Sequence, residues 1–351
     1  YVNLQSSMRS LFYKTFIFLF SLLLLMRCSE NEDFSNLLPI LEVSTGLEVE
    51  TSYITNQPIT FSVFNESGED LTNISIFYID GTQNENNEII HSNEGNHSVY
   101  AEYFINGQLY TTESKNYSVV NPETKLLLED FTGTWCGYCP PVKYAIEQAL
   151  EIYPNKITVV ATHQNDQFAI SQEEELINGL GPFGLPEARI NRAIEWVDPY
   201  ELNQLDSYLN DDNNIAISID SNIENEILQI KIRFVSRNAL NNHKLVVYLL
   251  EDGLIADQSN YLNFDETSYF YNLGNPIVDY EHNDVLRHTF TNILGDQLGN
   301  IEPYEDVNNF YNIDLSANNF QTENLRVIAF ITDSENLTIN SQHASVGEFQ
   351  D

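Results

Sequence analysis

Lys125-Leu126-Leu127-Leu128-Glu129-Asp130-Phe131 leads through Thr132-Gly133-Thr134 to Trp135-Cys136-Gly137-Tyr138-Cys139-Pro140, and the reading of this stretch decides the fold. The apolar run predicts a buried strand. After it, Val142, Ala145, Ile146 and Ala149 share one face of an amphipathic helix, opened by Pro140 and Pro141 where a missing N–H costs little. The turn between strand and helix carries two thiols three positions apart. A Cys at or just before a helix start meets free backbone N–H groups and the positive end of the helix dipole, which favour a thiolate and make Cys136 the nucleophile. Cys139, one turn on, is within disulfide reach and can resolve a mixed disulfide by attacking the first sulfur.

The chain has three cysteines, and the third, Cys28, ends an N-terminal apolar segment, so Cys136 and Cys139 have only each other. Three readings of the pair stand open: a redox disulfide, a structural zinc site and an inherited motif without activity. A tetrahedral zinc needs about four ligands. The chain offers no second Cys pair and no closely spaced His pair nearby, so no metal is expected.

Asp130-Phe131 followed by Trp135-Cys136 resembles the thioredoxin superfamily, and Gly181-Pro182-Phe183-Gly184-Leu185-Pro186 is similar to that family's Gly-x-x-Gly-x-Pro segment. The resemblance implies that Asp130 is a buried acid that accepts the proton of the resolving thiol. It also implies that Pro186 follows a cis bond, tolerated at about 0.5–1 kcal/mol, and packs on the disulfide. Leu185 would offer its backbone to an extended substrate chain, with Trp135 and Tyr138 completing the substrate-binding set. A solvated strand-end carboxylate for Asp130 and a trans loop proline for Pro186 are the open alternatives. The chain departs from the family at Ile157-Thr158-Val159-Val160-Ala161-Thr162-His163, which offers no Lys to pair with the buried acid. His163 reads as a polar residue ending a buried strand. The Gly137-Tyr138 dipeptide resembles that of periplasmic disulfide isomerases.

Met8 to Lys14 forms a basic region ahead of a short apolar run, Thr15 to Met26, which predicts a signal peptide over 8–27. Leu24-Leu25-Met26-Arg27-Cys28 resembles a bacterial lipobox, implying lipidation at Cys28; Arg27 departs from the small residue expected there, and an uncleaved anchor is the alternative. An acidic tether, 28–40, follows. Both readings put the protein outside the cytoplasm, where disulfides persist. With 52 acidic and 15 basic residues the formal charge is −37, which opposes nucleic acid and anionic membrane as partners. The expected partners are protein thiols and disulfides and a redox partner that recharges the pair, with membrane contact only through the lipid anchor. No cofactor beyond the Cys136–Cys139 disulfide is expected.

Short alternating strands fill 41–121, with Ile59, Phe61 and Val63, then Ile74, Ile76 and Tyr78, then Val99, Ala101 and Tyr103, and fit an immunoglobulin-like β-sandwich. Asn121-Pro122 marks the next boundary. The expected α/β thioredoxin-like central domain spans 122–212 and ends in a helix over 199–209, and a C-terminal β-sandwich spans 213–351. There, Leu245 to Leu250 and Val327 to Ile331 read as central strands. His282 and His288 read as hydrogen-bonded structural residues, a metal pair being the alternative. Leu128-Glu129-Asp130-Phe131-Thr132-Gly133-Thr134-Trp135-Cys136 and Tyr280-x-His282-Asn283-Asp284-Val285-Leu286-Arg287 resemble the outer membrane protein 28 (Omp-28) related lipoproteins. That resemblance implies an outer membrane or surface lipoprotein of a Gram-negative bacterium. Two functions follow as expectations: an extracytoplasmic thiol–disulfide oxidoreductase, or a surface binding or adhesion lipoprotein whose thioredoxin-like part is an inert spacer.

Overall fold

The computed structural model describes residues 46–350 apart from 49, 51, 182, 199, 210, 211, 317 and 318. The expected signal peptide, the lipidation site Cys28 and the tether lie outside the described residues. The described chain is mostly β-strand with few helices.

A nine-stranded mixed sheet carries the motif strand, Leu126–Thr132, which is buried along its whole length. Its neighbours are Ile157–His163, running parallel, and Glu187–Ile190, running antiparallel. Burial on both faces explains why the run is apolar without a period of two. Leu126 and Leu128 pack with the Pro140–Ile152 helix, while Leu127 and Phe131 pack with Leu176 of the Glu173–Gly179 helix. The longer helix buries Val142, Ala145, Ile146 and Ala149, the face read from the sequence. Over 199–209 the structure has a 3-10 helix, Leu202–Tyr208, and Pro199 lies outside the described residues.

The sheet runs across the 212/213 boundary. Ile157–His163 pairs in parallel with Val285–Thr289 through Ala161 and Val285, and the order continues through Lys244–Glu251, Leu325–Thr332 and Thr338–Ser345. Periodicity identifies strands but not the partner of a strand buried on both faces. Leu245, Val247 and Leu249 pack against a three-stranded antiparallel sheet of Ile215–Glu224, Ile227–Ser236 and Asp306–Asp314. Val246, Tyr248 and Leu250 point the other way, into the cluster around Phe131. The C-terminal segment therefore has its second layer in the same sheet that carries the Cys motif.

A buried ion pair, through a hydrogen bond to a tyrosine hydroxyl, ties the two halves of this sheet together. Arg192, in the left-handed region at φ 67°, donates from Nη2 to Glu129 Oε1 at 3.0 Å and to the Tyr248 hydroxyl at 2.6 Å. Both charged side chains are fully buried.

Before residue 121 a six-stranded sheet and two short two-stranded sheets enclose Ile59, Phe61, Val63, Val99 and Ala101, the alternation read from the sequence. The Ser75–Ile79 strand differs: Phe77 and Ile79 face inward while Ile74 and Ile76 are exposed. Its sequence is apolar on both faces, so pairing of Phe77 with Ala101 and Ile79 with Val99 sets which face is buried.

Candidate functional site

Cys136 and Cys139 form a disulfide in the turn between strand and helix. The helix begins at Pro140 with Cys139 as its N-cap, so Cys136 lies one turn earlier than a helix-start position. The prolines explain this. Pro140 and Pro141 have no N–H to donate to the carbonyls four residues back, those of Cys136 and Gly137. The Cys139 N–H reaches the Cys136 carbonyl at 3.2 Å, and a distant segment supplies further donors: Gln258 Nε2 reaches the same carbonyl at 2.9 Å, and the Tyr261 N–H reaches the Gly137 carbonyl at 2.9 Å. The Ser259 N–H adds a bond to the Thr134 carbonyl at 2.8 Å. The sequence marks this wall of the turn only through the Pro-Pro doublet, which cannot supply the N–H groups that a continuous helix would give the Cys136 and Gly137 carbonyls.

Gly137 records how closely the wall approaches. A Cβ there would stand 2.6 Å from Cδ2 of Tyr261 and nearer still to Cγ and Cδ1. Gly137→Ala is expected to destabilise the protein by about 1–3 kcal/mol through this overpacking, and Tyr261→Ala in the same chain to restore most of the loss. Thermal unfolding of the single and double variants checks it; an unchanged single variant would mean the ring does not hold that position.

The disulfide itself is nearly covered, with Cys136 5% and Cys139 2% exposed, so Cys136 is the more accessible partner. Trp135 and Tyr138 beside it are exposed. The indole Nε1 of Trp135 donates to the Gln164 carbonyl at 2.7 Å, and Tyr138 meets Tyr261 edge to face at 5.3 Å. The Leu185–Pro186 bond is cis and leads directly into Glu187–Ile190, the strand beside the motif strand. Leu185 packs, partly buried, against the cluster that includes Phe131.

Asp130 and Cys139 line one cavity of about 30 Å³, shared with Lys143, His163, His282 and Asp284. That is room enough for a water molecule. Asp130 is buried, and its Oδ1 has no hydrogen-bond partner. Burial pushes its carboxyl up to about 8; the charge of Asp284 pushes the same way, and the Lys143 ammonium opposes them. The cation near the acid thus comes from the helix rather than from the neighbouring strand. Its signal was the four-residue spacing from Cys139 to Lys143, which sets both on one helix face.

The far wall of the cavity is built of paired groups. Asp284 is ion-paired with Arg326, which also bonds Asp252. Burial raises the Asp284 carboxyl, with Arg326 opposing. His163 Nδ1 lies 2.7 Å from Asp166 Oδ2, and the same oxygen accepts the Thr134 N–H at 2.8 Å, so this buried pair braces the turn before Trp135. His282 stands edge to face with His163 at 5.1 Å, and burial together with His163 lowers it to about 4, leaving it neutral at pH 7. His282 ends one strand and His288 lies in the next. Among the described residues no three His, Cys, Asp or Glu side chains group as metal ligands.

A family model described as outer membrane protein Omp28 matches residues 173–350, just over half of the chain. The match begins after the Cys pair. Among solved structures, HBP35 of Porphyromonas gingivalis is similar with a TM-score of 0.53 and 18% identity, over 64% of this chain and 76% of that one, a likeness of fold. A domain of the outer membrane lipoprotein Omp28 from Porphyromonas gingivalis is 18% identical over 38% of this chain and 95% of that one, with a TM-score of 0.24. No curated protein matches. With its C-terminal half following the family model, the chain belongs to the outer membrane protein Omp28 family, and its place is the outer membrane or surface of a Gram-negative bacterium.

Proposed function

We propose that the protein is an extracytoplasmic thiol–disulfide oxidoreductase, with a thioredoxin-like region over 122–212 as its working part. The observation that carries this reading is the shared cavity of Cys139 and Asp130, which puts a buried carboxyl with its value near 8 on the same small cavity as the cysteine that must lose a proton. The cis Leu185–Pro186 bond and the parallel pairing of the motif strand with Ile157–His163 support it.

In the dithiol form, the Cys136 thiolate attacks one sulfur of a protein disulfide; that S–S bond breaks, and the departing thiolate takes a proton from solvent. The Asp130 carboxylate removes the proton of Cys139, directly or through a water. Cys139 then attacks the Cys136 sulfur, and the substrate's second sulfur leaves as a thiol. Two electrons pass from the pair to the substrate; of the two protons the substrate gains, one comes from solvent and the other from Cys139 by way of Asp130, and the reverse sequence oxidises a substrate dithiol. A carboxyl near 8 exchanges its proton readily at neutral pH. Trp135, Tyr138 and Leu185 would hold the substrate chain, and Pro186 would pack on the disulfide. A separate redox partner would restore the pair.

Titration of Cys136 and Cys139 in glutathione or dithiothreitol buffers, read by alkylation mass, tests the proposal. A potential near −270 mV, roughly thioredoxin's, is expected of a reductase, and one near −180 mV or above of an isomerase or oxidase. The near-complete cover of both cysteines favours a second reading, a surface binding lipoprotein with an inert disulfide. A pair that stays oxidised through the whole range would put that reading first.

A further inference from the structure

The segment that completes the Cys turn also carries an aromatic surface. Residues 259–276 join the strands Leu254–Gln258 and Ile277–His282. Besides its bonds to Thr134 and Gly137, the segment is fixed by Tyr269, which stacks on Tyr144 of the motif helix at 4.4 Å. Internally, Asn260 Nδ2 donates to the carbonyls of Phe270 at 2.9 Å and Gly274 at 3.0 Å. A segment so held can keep side chains in defined positions at low entropic cost on binding.

Much of what it holds outward is apolar or aromatic. Tyr261, Tyr269 and Leu273 are exposed, and Phe264 is 85% exposed. Tyr261 touches Tyr138, so this surface continues into the exposed side chains beside Cys136. Its charge has one sign: no Lys or Arg occurs between Lys244 and Arg287, while Asp257, Asp265, Glu266, Asp279 and Glu281 are exposed. Exposed aromatic side chains in an acidic, exposed stretch of chain suit one class of partner, since guanidinium and ammonium groups stack on rings and pair with acids, and an acidic chain is repelled.

We propose that residues 259–276 form a selectivity surface beside the disulfide for an extended polypeptide that carries Arg or Lys and aromatic side chains next to its cysteines. This rests on the redox reading above, because it names the substrate class of that same disulfide.

The test uses the full chain, pre-reduced, and follows its oxidation by three disulfides. Two are peptides with an internal disulfide flanked by Arg-Tyr-Arg or by Glu-Tyr-Glu, and the third is the small, neutral hydroxyethyl disulfide. The Arg peptide is expected to react at least about 10-fold faster than the Glu peptide at low salt, with the gap narrowing in 0.5 M NaCl, roughly a 4 Å Debye length. Phe264→Ser with Glu266→Lys should shrink the gap several-fold and leave hydroxyethyl disulfide untouched, whereas Glu85→Lys, the same charge change on the exposed N-terminal region, should leave the gap in place. Equal peptide rates, or a gap that both variants change alike, would overturn the selectivity surface. So would loss of concentration-dependent self-association in the Phe264→Ser variant with no change in peptide rates, which would make the surface an interface between copies. If the unmodified protein does not react with hydroxyethyl disulfide, the redox reading fails by itself. Binding of the two peptides to the oxidised protein then decides the surface: discrimination lost in the double variant supports it, and no discrimination rejects it.

Discussion

Asp130→Asn is expected to make the protein more stable and its thiol–disulfide exchange slower. The carboxyl has an ordinary value of 3.8 and stands near 8 in the fold, mainly because burial disfavours its charge. Below pH 3.8 both folded and unfolded chains hold the proton, and the acid costs nothing. Between 3.8 and 8 the unfolded chain releases a proton that the folded chain keeps, so stability falls as pH rises, and it levels off above 8. At 1.36 kcal/mol per pH unit the cost reaches about 4 kcal/mol at pH 7. Asn removes this dependence. Urea unfolding should therefore show stability declining from pH 5 to 8 in the unmodified protein and a flatter profile in the variant. The resolving step should slow by about 10²–10⁴, the usual loss with a general base, and mixed disulfides through Cys136 should accumulate. An unchanged pH slope would show that the acid is not held protonated in the fold. A faster resolving step would remove Asp130 from the proton transfer.

Glu129→Ala is expected to cost about 3–5 kcal/mol, the usual consequence of stranding one partner of a buried ion pair. Arg192 would keep only the Tyr248 hydroxyl among its charged and hydroxyl partners, inside a packed interior that includes the Phe330 ring at 4.7 Å. Replacing both charges, as Glu129→Leu with Arg192→Met, should recover most of the loss, because two well-packed apolar groups avoid the desolvation that the pair must offset. Denaturant unfolding of the single and double variants checks this. A single variant that loses less than about 1 kcal/mol would mean the guanidinium finds water or another partner.

The strand, turn and helix around the Cys pair were legible because each rests on local chemistry: an apolar run, a double proline, and Val142, Ala145, Ile146 and Ala149 at helical spacing. Asp130 and Pro186 were legible through resemblance to a known pattern. What lay hidden was long-range. Nothing local in Ile157–His163 says that its second neighbour is Val285–Thr289, because a strand buried on both faces looks the same whichever strand flanks it. The Ser75–Ile79 strand was apolar on both faces, so its inward side was decided by Val99 and Ala101. Lys143 on the helix, and Gln258 and Tyr261 far along the chain, reach the cavity and the turn only through the fold.

The borrowed donors also have a meaning in time. A chain made from its N-terminus presents Cys136 long before Gln258, whose amide closes over it from 122 residues further on. At about 5–20 residues per second, synthesis alone separates the two by roughly 6–24 seconds. Until Gln258 docks, both thiols lie open, and in a protein placed at the outer membrane they meet an oxidant only in the surroundings into which the chain emerges, which set the redox state of the pair before the protein has the structure to set that of anything else.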